Sequence, residues 1–360
     1  MRKILVVIGT YSEAILMAPV VRRLRAEPAL QTIVCLTAQH HSMFDQVPDI
    51  FAIQVDEDLN AMKLNAAVSQ GIDHVIEKHK PDCVLVHGDT ATAAESLHLH
   101  TPAGNGEAGL RMYELRYAVQ EESIRPAIDL VATYFFASSG VLRDKLLREG
   151  VAADKIYLTG DLAVDALLMA IDRIRNDGAL NAKLAAAFQF IDPNRRLILV
   201  IGHRRANHGG GLESVCRALR RLAMRPDVHV AYPAPPNPKV HSVVDDLFAD
   251  HPNITLVGPQ DYLHFVYLMQ AAYLILADSG DTPKEALSMS KPVLVMRDLA
   301  ERPAVIDAGT IKLVGTDAER ILRECTMFLD DPSYYRAFST HRTRCGDGDA
   351  SQRIVEILLR

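Results

Sequence analysis

The sequence predicts an α/β protein built from two Rossmann-like halves, and three observations lead there. Short apolar runs rich in β-branched residues each stop at a polar turn, segments of helical period lie between them, and the whole pattern restarts past the middle of the chain. The length, 360 residues, agrees with about two domains at roughly 150 residues each. Residues 4–8 form the first such run, a strand suited to burial on both faces of a parallel sheet, and Gly9-Thr10 ends it. Ile15, Leu16, Val20, Val21 and Leu24 then follow a helical spacing over 13–24. A strand over 32–36, a helix over 66–78 and a strand over 83–86 follow, the last ending in His87-Gly88-Asp89-Thr90. Strands and helices alternating at these lengths make βαβ units with right-handed crossovers.

In the second half, 197–201 reads as a strand ending in Gly202-His203-Arg204-Arg205, with a helix over 212–224. Strands are expected at 228–232, 254–257, 273–277 and 293–296, and helices at 263–270 and 283–289. The boundaries expected are 1–165 for the first domain and 166–340 for the second. Residues 341–360 carry a terminal helix expected to pack back on the first domain, with Ile354, Val355, Leu358 and Leu359 on one side. Ligands of open parallel sheets bind beyond the carboxyl ends of strands. If two such domains face a central cleft, each polar turn named above lines it.

Composition narrows the partners. Hydrophobic residues make up 49% and charged residues 23%, which is ordinary globular usage and excludes disorder. The 45 acids exceed the 39 bases, giving a net charge of -6, and no dense basic run is present. Nucleic acid is therefore not an expected partner. No stretch approaches the ~18 apolar residues of a membrane span, and the opening apolar run turns polar too soon for a signal peptide. The five cysteines are scattered with no CxxC pair, so neither a zinc site nor a disulfide framework is indicated, and a reducing cytoplasm is expected. There is no HExxH, no GxGxxG after the first strand and no GxxxxGK[ST], so no metal, NAD or P-loop cofactor is called for.

Several turns carry chemistry. Asp278-Ser279-Gly280 precedes a helix opening near Pro283, and unpaired N–H groups at a helix start suit a phosphate. Glu285, one turn on, can accept hydrogen bonds from a ribose diol; Asp or Ser capping a helix is the plainer account of the turn. His203, Arg204 and Arg205 can neutralise a diphosphate and protonate a leaving oxygen. Asp89, Glu107 and the pair Glu121-Glu122 can divide acid and base work if their surroundings separate their pKa values. The set Tyr262, Phe265, Tyr267 and Met269 near Asp261 reads as core packing.

In order and spacing these segments resemble the non-hydrolysing UDP-N-acetylglucosamine 2-epimerases over nearly the whole chain. The matching stretches are GTYSEAILMAPVV, TAQHHSMFDQV, HGDT, GEAGLR, EE with Arg125 after it, GHRRANHGGG, DSGDTPKEA, KPVLVMRD, ERPAVIDAGT and GDG. The resemblance implies a glycosyltransferase-B-like fold, a homodimer, and interconversion of UDP-GlcNAc and UDP-ManNAc. It implies that Asp89, Glu107, Glu121 and His203 are catalytic. It further implies that Arg125, Arg204, Ser279, Gly280, Glu285, Glu13 and Arg302 hold the UDP-sugar.

The chain departs from the family pattern at identifiable places. Tyr11 and Ser12 replace an arginine and a proline of the first loop, and Leu16 stands where lysine is usual. Losing cations near a diphosphate costs about 1–3 kcal/mol each where both make charged hydrogen bonds. Asp281 and Lys284 replace a glycine and a glutamate of the phosphate turn. Before Glu107 the family has an apolar strand, whereas here Pro102-Ala103-Gly104-Asn105-Gly106 makes a poor strand candidate.

Overall fold

The structure, a computed structural model, describes residues 1–37, 51, 53–59, 65–88, 102–106, 132–202, 210–233, 244–245, 248, 251–278, 282–297, 311–340 and 346–360. The chain divides into two units, Met1–Met169 with Gly346–Arg360, and Ala170–Cys345.

The first unit opens with β1 (Arg2–Ile8), α1 (Tyr11–Ala26), β2 (Leu30–Leu36), β3 (Glu57–Asp58), α2 (Asn65–His79) and β4 (Cys83–Val86). It continues with β5 (Ala103–Asn105), β6 (Tyr134–Ala137), α3 (Gly140–Arg148), β7 (Ile156–Leu158) and α4 (Leu162–Asn176), which carries the chain into the second unit. The strands form one sheet in the order β3-β2-β1-β4-β5-β6-β7, every neighbouring pair parallel. Strand order reverses between the central strands β1 and β4, which makes their carboxyl ends the switch point where ligands of such sheets bind. From Ile4 to Ile8 no residue is more than 1% exposed, as a strand covered on both faces requires. Leu5 and Val7 pack with Ile33, Cys35, Val84 and Val86 under Val68, Ile72, Val75 and Ile76 of α2.

One expectation is overturned here. The glycine-containing segment before Glu107 is a strand after all, β5, paired with β4 on one side and β6 on the other. The reason is packing: a Cβ on Gly104 would lie 2.8 Å from both Leu85 Cδ2 and Phe136 Cε2. Large neighbours fill the space that a side chain would need, so glycine marks a crowded strand instead of a weak one.

The second unit repeats the plan. It holds α5 (Gly178–Ala187), β8 (Arg196–Ile201), α6 (Gly210–Ala223), β9 (Val228–Pro233), β10 (Ile254–Val257), α7 (Tyr262–Ala271) and β11 (Leu274–Ala277). There follow α8 (Thr282–Ser288), β12 (Val293–Val295), β13 (Ile311–Leu313), α9 (Ala318–Asp330) and α10 (Pro332–Thr340). Its parallel sheet runs β10-β9-β8-β11-β12-β13, so order reverses between β8 and β11. The core joins Ile198, Val200, Val230 and Leu276 of the sheet to Cys216, Leu219 and Leu222 of α6 and to Ile321, Cys325 and Phe328 of α9. The fold class read from the sequence, α/β with two Rossmann-like units, is the one observed.

The chain then returns to the first unit as α11 (Ala350–Leu358). Asp165 of α4 accepts hydrogen bonds from the Ser351 backbone N–H (2.8 Å), the Ser351 hydroxyl (2.6 Å) and the Ala350 N–H (3.3 Å). It thereby caps a helix to which it does not belong. Burial pushes its pKa up against those bonds. Arg23 of α1 donates to Ser351 Oγ (2.9 Å) and Gln352 Oε1 (2.6 Å), and Arg2 donates to the Leu358 carbonyl. Gly348 sits at φ +87°, a backbone conformation that favours glycine, and a Cβ there would also have to displace the Leu168 Cδ1 methyl, 2.4 Å away.

Candidate active site

Two of the sequence-predicted site residues, Glu13 and Glu285, are described. Asp89, Glu107, Glu121, Arg125, His203, Arg204, Ser279, Gly280 and Arg302 lie outside the described residues. The structure does fix where the chain leaves the sheet before several of them. In the first unit β1 ends at Ile8 and β4 at Val86, adjacent strands at the switch point. His87, buried, and Gly88 (φ +79°) then lead to Asp89. The next strand, β5, ends at Asn105, and the Gly106 N–H bonds the Val86 carbonyl at 3.0 Å directly before Glu107. Three strand ends on one sheet edge thus deliver the segments that begin at Gly9, Asp89 and Glu107.

Glu13 occupies the first turn of α1 and is 4% exposed. Its Oε2 accepts from the N–H groups of Gly9 (2.7 Å) and Thr10 (3.3 Å), while its own N–H donates to Thr10 Oγ1 (3.2 Å). This is a capping box, in which two otherwise unpaired helix-start groups satisfy each other. The family departures Tyr11 and Ser12 form the start of the same helix, with Ser12 exposed.

In the second unit the switch point lies between β8 and β11, and the two candidate anion turns leave from these strands. Gly202, preceding His203, and Asp278, preceding Ser279, are neighbours there, and the Asp278 N–H bonds the Ile201 carbonyl at 2.9 Å. A Cβ on Gly202 would fall 3.0 Å from Met296 Cε and 3.6 Å from Asp278 Oδ2, so Gly202 itself is closely surrounded. Tyr232, at the end of β9, donates its buried hydroxyl to the Gly202 carbonyl at 2.6 Å. Burial raises the pKa of that phenol, which keeps it protonated as a donor. Glu285 lies in the first turn of α8, 9% exposed, and its Oε1 accepts from the Tyr262 hydroxyl at 2.8 Å.

Tyr262, which reads from the sequence as core packing, donates to one of the candidate site residues. It is buried, as expected, but its hydroxyl reaches 23 residues along the chain. No periodicity signals a partner at that separation. Among the described residues, no group of three or more His, Cys, Asp or Glu is placed to hold a metal ion, and no helix is long and apolar enough to cross a membrane.

A family profile described as UDP-N-acetylglucosamine 2-epimerase matches residues 22–359. The chain belongs to the UDP-N-acetylglucosamine 2-epimerase family. Among similar proteins, the UDP-N-acetylglucosamine 2-epimerase of Escherichia coli (strain K12) is 43% identical over 99% of this chain and 98% of its own. The enzyme of that name from Yersinia pestis is 44% identical over the same shares, 99% and 98%. A crystal structure of UDP-GlcNAc 2-epimerase from Neisseria meningitidis bound to UDP-GlcNAc is similar with a TM-score of 0.91 and 38% identity, covering 99% of each chain. The family's isomerase class and glycosyltransferase-B-like fold therefore hold for this chain.

Proposed function

We propose that this protein is a UDP-N-acetylglucosamine 2-epimerase that interconverts UDP-GlcNAc and UDP-ManNAc. The observation that carries the reading is full-length similarity above 40% identity to proteins of that name. It is supported by the ends of β1, β4, β8 and β11, from which the chain runs on toward the candidate turns and which flank the two switch points.

In the forward direction a carboxylate among Asp89, Glu107 and Glu121 takes the C2 proton, and the C1–O bond breaks with its electron pair leaving on UDP. The product is a 2-acetamidoglucal. UDP then re-forms the bond to C1 while a protonated group returns hydrogen to the opposite face of C2. The C2 proton is weakly acidic, so a positioned base is required. Negative charge develops on the departing diphosphate, where His203, Arg125, Arg204, Arg302 and the Ser279-Gly280 turn stabilise it. Glu285 accepts from the ribose hydroxyls, and Glu13 contributes through the Gly9-Thr10 turn that it anchors. The reaction needs no added cofactor. The working protein is a cytoplasmic homodimer with domains 1–165 and 166–340 and a helix in 341–360 that packs back on the first.

Proton NMR with UDP-GlcNAc in deuterated water tests this reading. Deuterium at C2 together with UDP-ManNAc is the expected result. Free ManNAc with stoichiometric UDP would make the protein a hydrolysing relative. Unchanged substrate beside measurable UDP binding would make it a catalytically silent sugar-nucleotide binder.

A further inference from the structure

Tyr262 and Glu285 form a buried pair drawn from two different helices. Tyr262 is the first residue of α7, and that helix start is fixed in its own right. Asp261 caps it, its Oδ1 accepting from the His264 N–H at 2.9 Å and pairing with the His264 ring Nδ1 at 2.7 Å. Phe188 meets the His264 ring edge-on and stacks on Tyr267, holding the same helix from outside. The phenol is thus presented from a rigid base, 7% exposed, to a carboxylate that is 9% exposed.

Both partners need the bond. A buried tyrosine hydroxyl must find an acceptor, and a buried carboxylate requires donors to offset its lost hydration. Packing alone would be served by phenylalanine. A carboxylate offers about four acceptor positions, and the Tyr262 bond to Oε1 restricts how the Glu285 carboxylate can turn.

We propose that Tyr262 is a positioning residue that aims the Glu285 carboxylate at the ribose hydroxyls of the bound nucleotide. The pair then discriminates ribonucleotides from their deoxy counterparts, because a rigidly aimed acceptor loses most when the matching hydroxyl is missing. The inference rests on Glu285 being the ribose acceptor in the function proposed above.

The experiment is calorimetric binding of UDP and of 2′,3′-dideoxy-UDP to the full chain and to the Tyr262→Phe, Glu285→Gln and doubly substituted chains. Tyr262→Phe keeps the ring and its packing. It is expected to weaken UDP about tenfold, and to leave the dideoxy nucleotide within about twofold of its original affinity. In turnover KM rises while kcat holds, the signature of lost uniform binding. The double substitution is expected to be no worse than Glu285→Gln alone, because the two groups act as one unit. If Tyr262→Phe binds UDP normally while Glu285→Gln is weakened, the positioning role is wrong and the ribose assignment stands. Equal weakening of both nucleotides by Tyr262→Phe would make Tyr262 a structural residue only. If Glu285→Gln leaves UDP binding unchanged, the ribose assignment falls and the inference falls with it.

Discussion

Two glutamates, Glu13 and Glu285, stand in comparable places and are held in different ways. Each lies in the first turn of a helix that follows a strand beside a switch point, and each is buried. Glu13 binds its own backbone, two N–H groups within four residues. Glu285 is held by the side chain of a separate helix. The first arrangement shapes a turn, and the second holds a carboxylate in a chosen orientation. A topological position thus offers a site, and the two glutamates are anchored there by different kinds of donor, backbone N–H groups for Glu13 and a side-chain hydroxyl for Glu285.

The comparison can be broken from the Glu285 side first, where the largest effect is expected. Glu285→Ala should weaken UDP by roughly tenfold or more, since hydrogen bonds to charged groups contribute about 1.5–3 kcal/mol. Calorimetric titration with UDP measures it, and an unchanged affinity would remove Glu285 from the site. On the other side, Glu13→Ala should cost about 2 kcal/mol of stability by leaving the buried Gly9 N–H without this acceptor. Its urea midpoint falls if the capping role is right. Thr10→Ala removes the reciprocal half of the box and should cost about 1 kcal/mol, while Thr10→Ser should lie close to the original chain in the same titration.

The smallest effect belongs to an exposed carboxylate. Arg353 donates to Asp347 (2.9 Å for one of the bonds) and holds its pKa down to about 2. A depressed carboxyl stabilises the fold above the ordinary aspartate range and loses that contribution as pH falls through about 2. Exposure limits the pair to less than about 1 kcal/mol. Asp347→Asn should therefore lower the thermal midpoint slightly at neutral pH and not below about pH 2. A deficit of equal size at both pH values would contradict the ion-pair account.

Much of the fold is legible in the chain itself. The strands β1, β4, β8 and β11 are continuous apolar runs ending at polar turns, and they are the strands that flank the switch points. The strand-end rule then brings Gly202 and Asp278 together without knowledge of any family. β5 was illegible because its glycine answers to Leu85 and Phe136, which are distant in sequence. β6 and β7 are equally hard to read locally, because their aromatic residues Tyr134, Phe136 and Tyr157 pack across neighbouring strands. The Tyr262–Glu285 bond was hidden for a similar reason, since a tyrosine in an apolar helix pattern gives no sign that its hydroxyl has a distant acceptor. Local pattern reveals elements, and only the assembled sheet reveals which long-range pairs they make.

The order of synthesis gives the Asp165 cap a further meaning. Met1–Met169 emerges from the ribosome first, but its terminal helix is encoded after the whole of Ala170–Cys345. At translation rates of about 5–20 residues per second, Asp165 waits on the order of ten seconds or longer for the Ser351 groups that cap onto it. During that interval the second unit can close its core while the first still lacks a helix. The half of the molecule that is born first is the half that is finished last.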